Sequence, residues 1–167
     1  MEPENPIKEI LKQVVLNVFE QMYFMFPREI GMEDALKHTG DETYIANVVL
    51  KNGGLEVMIA GSGALCLKMA GNMFGEAKAL SQQEMEDVVR EAANIITGNL
   101  INECSFPGVV SPDIPVARKG IDLDICNDDR DLNVFFDVEN HYLSVHVRGL
   151  ASSGLALPGG KFMCKGE

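Results

Sequence analysis

From Ser81 to Pro107 the sequence specifies one long, capped helix, and that helix constrains the rest of the chain. Ser81 stands at its start with Glu84 three residues on, a pairing in which hydroxyl and carboxylate satisfy each other's orphaned backbone N–H groups. The periodic run continues to about Cys104, and Pro107-Gly108 ends it. With Met85 at angle zero and about 100° per residue, Val88, Val89, Ala92, Ile96 and Leu100 fall within roughly 60° of that direction. They form the stripe that a helix buries. Asp87, Glu91, Asn94 and Gly98 fall at roughly 200°, 240°, 180° and 220°, one row on the water side. Neighbours in the row are three or four apart, so their side chains meet. Two acids with no base on that row repel mildly, and Asn and Gly are poor helix formers. A generic solvated face requires none of this. Geometry alone still leaves open the plain alternative, a polar side with no task. Glu-x-x-Asn by itself is a weak signal, since Glu2-Pro-Glu-Asn5 repeats it at the N-terminus.

The remaining elements surround that helix. Asn5 caps a helix over residues 5–26, Pro6 suits its first position, Glu9 complements its dipole and Pro27 ends it. A polar loop through Lys37–Gly40 leads to strands Tyr44–Leu50 and Leu55–Ala60, joined at Asn52-Gly53-Gly54. Gly61-Ser62-Gly63 reads as a backbone turn before a helix over Ala64–Phe74 that Gly75 stops. Strands follow at Ile114–Arg118 and near Ile121–Ile125, then a hairpin pairing Leu132–Val138 with Tyr142–Arg148. Helical blocks separated by hairpins indicate an α+β fold, an antiparallel β-sheet with helices packed on it. Residues 1–150 make one domain, and 151–167, rich in Ser, Gly and Pro, read as a poorly ordered tail.

Several function classes are excluded or lack support. Fourteen basic against 25 acidic residues leave a net charge of −11, the wrong sign for neutralising nucleic-acid phosphates or docking on an anionic membrane. No signal peptide and no membrane-spanning run is expected, which points to the cytoplasm. There is no Gly-x-Gly-x-x-Gly, Walker loop or Gly-x-Ser-x-Gly elbow. Cys66, Cys104, Cys126 and Cys164 have no CxxC spacing and read as reduced, apolar thiols. His141 and His146 are five apart in a strand, hence on opposite faces. No metal site of the chain's own is expected.

The string Asp87-Val-Val-Arg-Glu91-Ala-Ala-Asn94-Ile-Ile-Thr-Gly98-Asn99 resembles the signature helix of the CheC/CheX/FliY phosphatases of bacterial chemotaxis. That family's pattern is Asp or Ser, Glu four residues on, Asn three further, and a proline about twenty residues later. Pro115 is the natural match, and Pro112 is its rival. The run Ala64–Gly75 is similar to the preceding family helix, and a single unrepeated motif is most similar to CheX. The resemblance covers roughly residues 5–148.

It implies dephosphorylation of a phosphorylated CheY-type response regulator in the cytoplasm, with Mg2+ supplied by that partner and no cofactor of the chain's own. It implies Asn94 as the residue that positions the attacking water and Glu91 as the one that meets the partner's active-site lysine. Asp87 and Gly98 are assigned to partner contact at the rim. A homodimer is also implied, and the alternating strands of the last hairpin offer an edge for it. The competing reading is a CheX-like module that binds a receiver, or only dimerises, without catalysis. An unrelated α+β ligand-binding domain is the third.

Overall fold

A computed structural model describes residues 5–38, 40–75, 79–121 and 131–150, together with the backbone of 156–157 and 161–162. Nine strands and four α-helices are seen among the described residues. Helix α1 (Pro6–Val18) is capped by Asn5, whose Oδ1 accepts from the Ile7 N–H at 3.0 Å. It buries Ile7, Leu11, Val14, Val15 and Val18, the face its 3–4 spacing marks.

The α-helix stops earlier than Pro27. A π-helical turn, Phe19–Tyr23, follows, and Phe24 at φ 55 reverses the chain. The wider turn lets Phe19 and Tyr23 both bury completely, their rings 5.2 Å apart. Pro27–Ile30 then forms strand β1, where the sequence pattern predicts only a loop. It is short and begins with a proline that donates no hydrogen bond, as suits an edge. Lys8 at 3.0 Å and Lys12 at 2.6 Å from the Glu29 carboxylate tie α1 to β1. One helical turn, α2 (Met32–Ala35), and a 3-10 turn at Leu36–His38 lead to the main hairpin.

Strands β2 (Thr43–Lys51) and β3 (Leu55–Ser62) pair from Thr43 opposite Ser62 to Leu50 opposite Leu55. Asn52 and Gly54 adopt positive φ between them, the backbone that an Asn-Gly turn supplies. The Gly61-Ser62-Gly63 turn leads into α3 (Gly63–Phe74), with Ser62 Oγ accepting from the Leu65 N–H at 3.2 Å. Helix α4 (Gln82–Glu103) carries the full reciprocal cap between Ser81 and Glu84. Strands β4 (Ser111–Pro112) and β5 (Val116–Gly120) follow, with β5 two residues later than expected. The expected strand at Ile121–Ile125 lies outside the described residues beyond Ile121. Strands β6 (Leu132–Val138) and β7 (His141–Arg148) close on a two-residue turn with Glu139 and Asn140 both at positive φ. Most of the tail also lies outside the described residues; within it β8 (Ala156–Leu157) pairs with β9 (Lys161–Phe162).

The main sheet is seven-stranded and antiparallel, in the order β1-β6-β7-β3-β2, with β4 and β5 both beyond β2. One face carries Ala46, Val48, Val57, Ile59, Val134, Phe136, Val145 and Val147 against α1, α3 and α4. The sequence reading gave the last hairpin a free edge, and this is corrected. Strand β6 is flanked by β1 and β7, and β7 by β6 and β3, so their backbone groups are already paired. The outer strands are β1 on one side and β4 with β5 on the other. His146 is buried on the face away from the helices, hydrogen-bonded to Asn133 at 2.7 Å and Ser144 at 3.0 Å. His141 points to the other face, as its odd spacing requires.

Candidate functional site

Helix α4 lies across the sheet, packed on β2, β3 and β5 and flanked by α1 and α3. Met85, Val89, Ala92, Ile96 and Leu100 are buried, as the stripe predicts. The buried arc also takes in Ala93 and Thr97, because the helix is covered on more than one side. Val88 sits at the arc's edge and stays half-buried.

The polar row stands where the wheel places it. Asp87, Glu91 and Asn94 are exposed and Gly98 is half-buried on the same side. The row is not uniform, however. Arg90 donates to Asp87 Oδ1, and Gln83 Nε2 donates to the same oxygen at 3.2 Å. The repulsion that two acids four apart would feel is therefore relieved by a base just off the row. Asn99 is likewise occupied, its amide donating to the Ile95 carbonyl at 3.0 Å. Among the described residues, the Glu91 carboxylate and the Asn94 carboxamide make no hydrogen bond or ion pair. They stand three residues apart, one turn of helix, with both groups turned to solvent. A Cβ added at Gly98 would meet nothing within 4 Å, so the row runs into open space at its C-terminal end.

Pro112 forms a β-bridge opposite Leu50, whereas Pro115 lies in the link between β4 and β5. Both neighbouring strands pack against α4. Next to the row the chain also builds an apolar groove that the sequence reading did not locate. Its volume is ≈ 380 Å³, and its apolar lining is Tyr23, Ala70, Met73, Phe74, Leu80 and Val88. Glu84, Asp87 and Glu91 form its acidic side. Tyr23 is fully buried and its hydroxyl has no hydrogen-bond partner among the described residues. Burial pushes its phenol pKa up, and the nearby Glu91 charge adds to the shift. A signal for this groove existed in the sequence. Met73-Phe74 ends α3 immediately before Gly75, where a solvated helix end would carry polar side chains.

Cys66 and Cys104 are buried free thiols, as expected, while Cys126 and Cys164 lie outside the described residues. Among the described residues no group of three or more His, Cys, Asp or Glu side chains could hold a metal ion. None of the described helices is long and apolar enough to cross a membrane.

The family model for the chemotaxis phosphatase CheX matches residues 44–137, more than half of the chain and the whole of α4. The chain belongs to the CheX family. Solved CheX-family structures share its fold. A chemotaxis protein CheX from Vibrio vulnificus superposes with TM-score 0.64 at 16% identity, covering 88% of this chain and 98% of that one. A CheC-like superfamily protein from Shewanella sp. PV-4 superposes at 0.60 with 20% identity, covering 88% and 100% of the two chains. A chain of the CheX–CheY–BeF3–Mg2+ complex from Borrelia burgdorferi gives 0.57 at 17% identity, covering 83% and 94%. No curated protein matches the sequence. The CheX-family match includes Asp87, Glu91, Asn94, Gly98 and both candidate prolines, and at family level the activity is that of a phosphatase.

Proposed function

We propose that this protein accelerates hydrolysis of the aspartyl phosphate on a CheY-type response regulator. The observation that carries the reading is the pair Glu91 and Asn94, neighbours on the exposed face of α4 whose polar groups are both unengaged among the described residues. The Borrelia burgdorferi structure is a CheX–CheY–BeF3–Mg2+ complex, and that complex motivates the choice of partner.

An acyl phosphate is reactive enough that a helper protein need not supply a strong acid or base. It must place water in line with the P–O bond and hold the two proteins in register. The water oxygen bonds to phosphorus as the bond to the aspartyl oxygen breaks. The aspartate leaves as a carboxylate, and the water's protons end on phosphate or solvent. Asn94 suits the positioning task, because a neutral carboxamide both accepts from water and donates to an oxygen without adding charge to an anionic centre. Glu91 supplies the single unneutralised carboxylate of the row, complementary to a lysine on the receiver. Asp87 forms the rim with its charge tied to Arg90, and Gly98 leaves room for close approach. The divalent cation is assigned to the receiver.

The reading places the protein in the cytoplasm as a homodimer. With β6 and β7 interior, a second copy would use an outer strand, and Ile114 just before β5 and Val116 at its start are exposed. Sedimentation reads that association directly. For the activity, a phosphorylated receiver is incubated with and without this protein and loss of acyl phosphate is followed. Loss that quickens in proportion to added protein supports the reading, and loss at the receiver's own rate overturns it.

A further inference from the structure

The groove beside Glu91 has a lip, a floor and a charged side, built by α3, α4, the π-helical turn and the link between the two helices. Phe74 at the end of α3 is 79% exposed and Met73 beside it 38% exposed, the lip. Tyr23 from the π-helical turn, Ala70, Leu80 and Val88 complete the apolar lining. Asn72 Nδ2 donates to the Tyr23 carbonyl at 2.8 Å and so locks the end of α3 against that turn. The groove is therefore held open by a tertiary hydrogen bond. Two large apolar side chains left in water at its mouth cost free energy that a docked apolar group would recover.

The acidic side narrows the choice of occupant. Glu84 is engaged with the Ser81 backbone N–H at 2.7 Å, and Asp87 is paired with Arg90. Glu91 alone among these three carboxylates carries no partner among the described residues. The complement is one cation, not a basic cluster. At ≈ 380 Å³ the groove has room for a side chain or two rather than a helix. Tyr23 is fully buried, with no hydrogen-bond partner for its hydroxyl among the described residues, so the groove meets the occupant through the apolar surfaces around it.

We propose that this groove is a specificity pocket for the docked receiver, seating an apolar side chain on the same partner segment that presents a cation to Glu91. This rests on the receiver-directed reading above. It adds that affinity for one receiver over another is set by the fit of that apolar anchor against Phe74, Met73 and Val88, separately from the chemistry at Asn94.

The test measures binding of a beryllofluoride-bound receiver and turnover of the phosphorylated one, with the whole 167-residue chain. Phe74→Ser and Met73→Ser lie outside the catalytic pair and at solvent-exposed positions, so folding is checked simply by an unchanged melting curve. Phe74→Ser is expected to raise the receiver concentration for half-maximal rate roughly tenfold, as loss of an interface anchor does, with the maximal rate unchanged. Met73→Ser should shift it in the same direction by less. Wild-type half-saturation in both variants overturns the pocket while leaving the phosphatase reading intact. A fall in maximal rate at unchanged half-saturation overturns it too. A wild-type protein that binds the receiver without speeding phosphate loss overturns the phosphatase reading instead, and the pocket then stands if Phe74→Ser weakens that binding. A wild-type protein that neither binds nor accelerates overturns both.

Discussion

Arg90 donates to the carboxylate of Asp87 one helical turn before it, on the flank of the row that carries Glu91 and Asn94. The pair removes one negative charge from the row and holds the guanidinium away from Glu91, its immediate neighbour in sequence. Substitution of Asp87 frees that cation. Asp87→Ala is expected to weaken receiver binding a few-fold, and adding Arg90→Ala should restore it. A direct contact between Asp87 and the receiver predicts no such rescue. The melting temperature should barely move in either variant, because an exposed ion pair contributes about 0–1 kcal/mol.

Asn94 and Glu91 should separate in kinetics. Asn94→Ala is expected to lower the maximal rate by about a hundredfold or more with receiver binding nearly unchanged, as loss of a group that acts on the reacting water does. Glu91→Gln should mainly raise the receiver concentration for half-maximal rate. Both residues are exposed and have no partner among the described residues, so stability should change by no more than ~0.5 kcal/mol. A large loss of stability would assign them to the fold instead.

Gly98 separates the needs of the helix from those of the partner. A Cβ there meets nothing, so Gly98→Ala should stabilise α4 by about 0.5–1 kcal/mol through the lower entropy of the unfolded chain. Gly98→Phe should leave the fold intact and still raise the half-saturating receiver concentration, because the ring would stand where a docked partner approaches. Equal turnover by Gly98→Phe and the wild type would remove Gly98 from the contact surface.

Thr97 is buried within α4 with its hydroxyl unpaired among the described residues, an uncompensated desolvation. Thr97→Val keeps the shape and the β-branch and removes the polar atom. It is expected to raise stability by about 1 kcal/mol, a shift of roughly 2–4 °C in melting temperature. A fall in stability would mean that the hydroxyl is satisfied in solution.

Burial pushes the Cys66 thiol up to about 12, and burial together with the Glu103 charge pushes Cys104 up to about 11. Both folded values lie above the ordinary thiol range, near 8.5, so their contribution to stability is intact below that range. It is lost as pH rises from there toward the folded values, because the unfolded chain ionises its thiols first. Iodoacetamide at pH 8 should therefore spare Cys66 and Cys104 in the folded protein, and denaturant should expose both. Peptide mapping reads each site. Modification of either in the folded state would contradict its burial.

How far each feature could be read from the sequence follows how local its cause is. The Ser81–Glu84 cap, the Asn5 cap and the Asn52-Gly53-Gly54 turn act over two to four residues, and all were legible. The exposed row was legible for the same reason, since helical geometry alone brings Asp87, Glu91, Asn94 and Gly98 onto one side. The engagement of Asp87 by Arg90 was missed although it is equally local. A wheel ranks residues by angle, and a long guanidinium reaches across the gap that the angle suggests.

Other features rested on partners far along the chain. Strand β1 is four residues without a periodic signature, and it exists because Pro27–Ile30 pairs with β6; Arg28 meets Asp137 109 residues away. The same pairing makes β6 interior, so an alternating strand that could equally have been an edge is not one. The groove arises only where Asn72 fastens the end of α3 to the π-helical turn beside α4. By itself the sequence determined the three longer α-helices in outline, their N-terminal caps, the tight turns and the polar row, because each follows from contacts within one or two turns of chain. The tertiary structure decided which strands are edges, which row residues keep free polar groups and where an apolar side chain can lodge beside Glu91. Those depend on backbone hydrogen bonds and packing between segments whose distance in sequence carries no periodic trace.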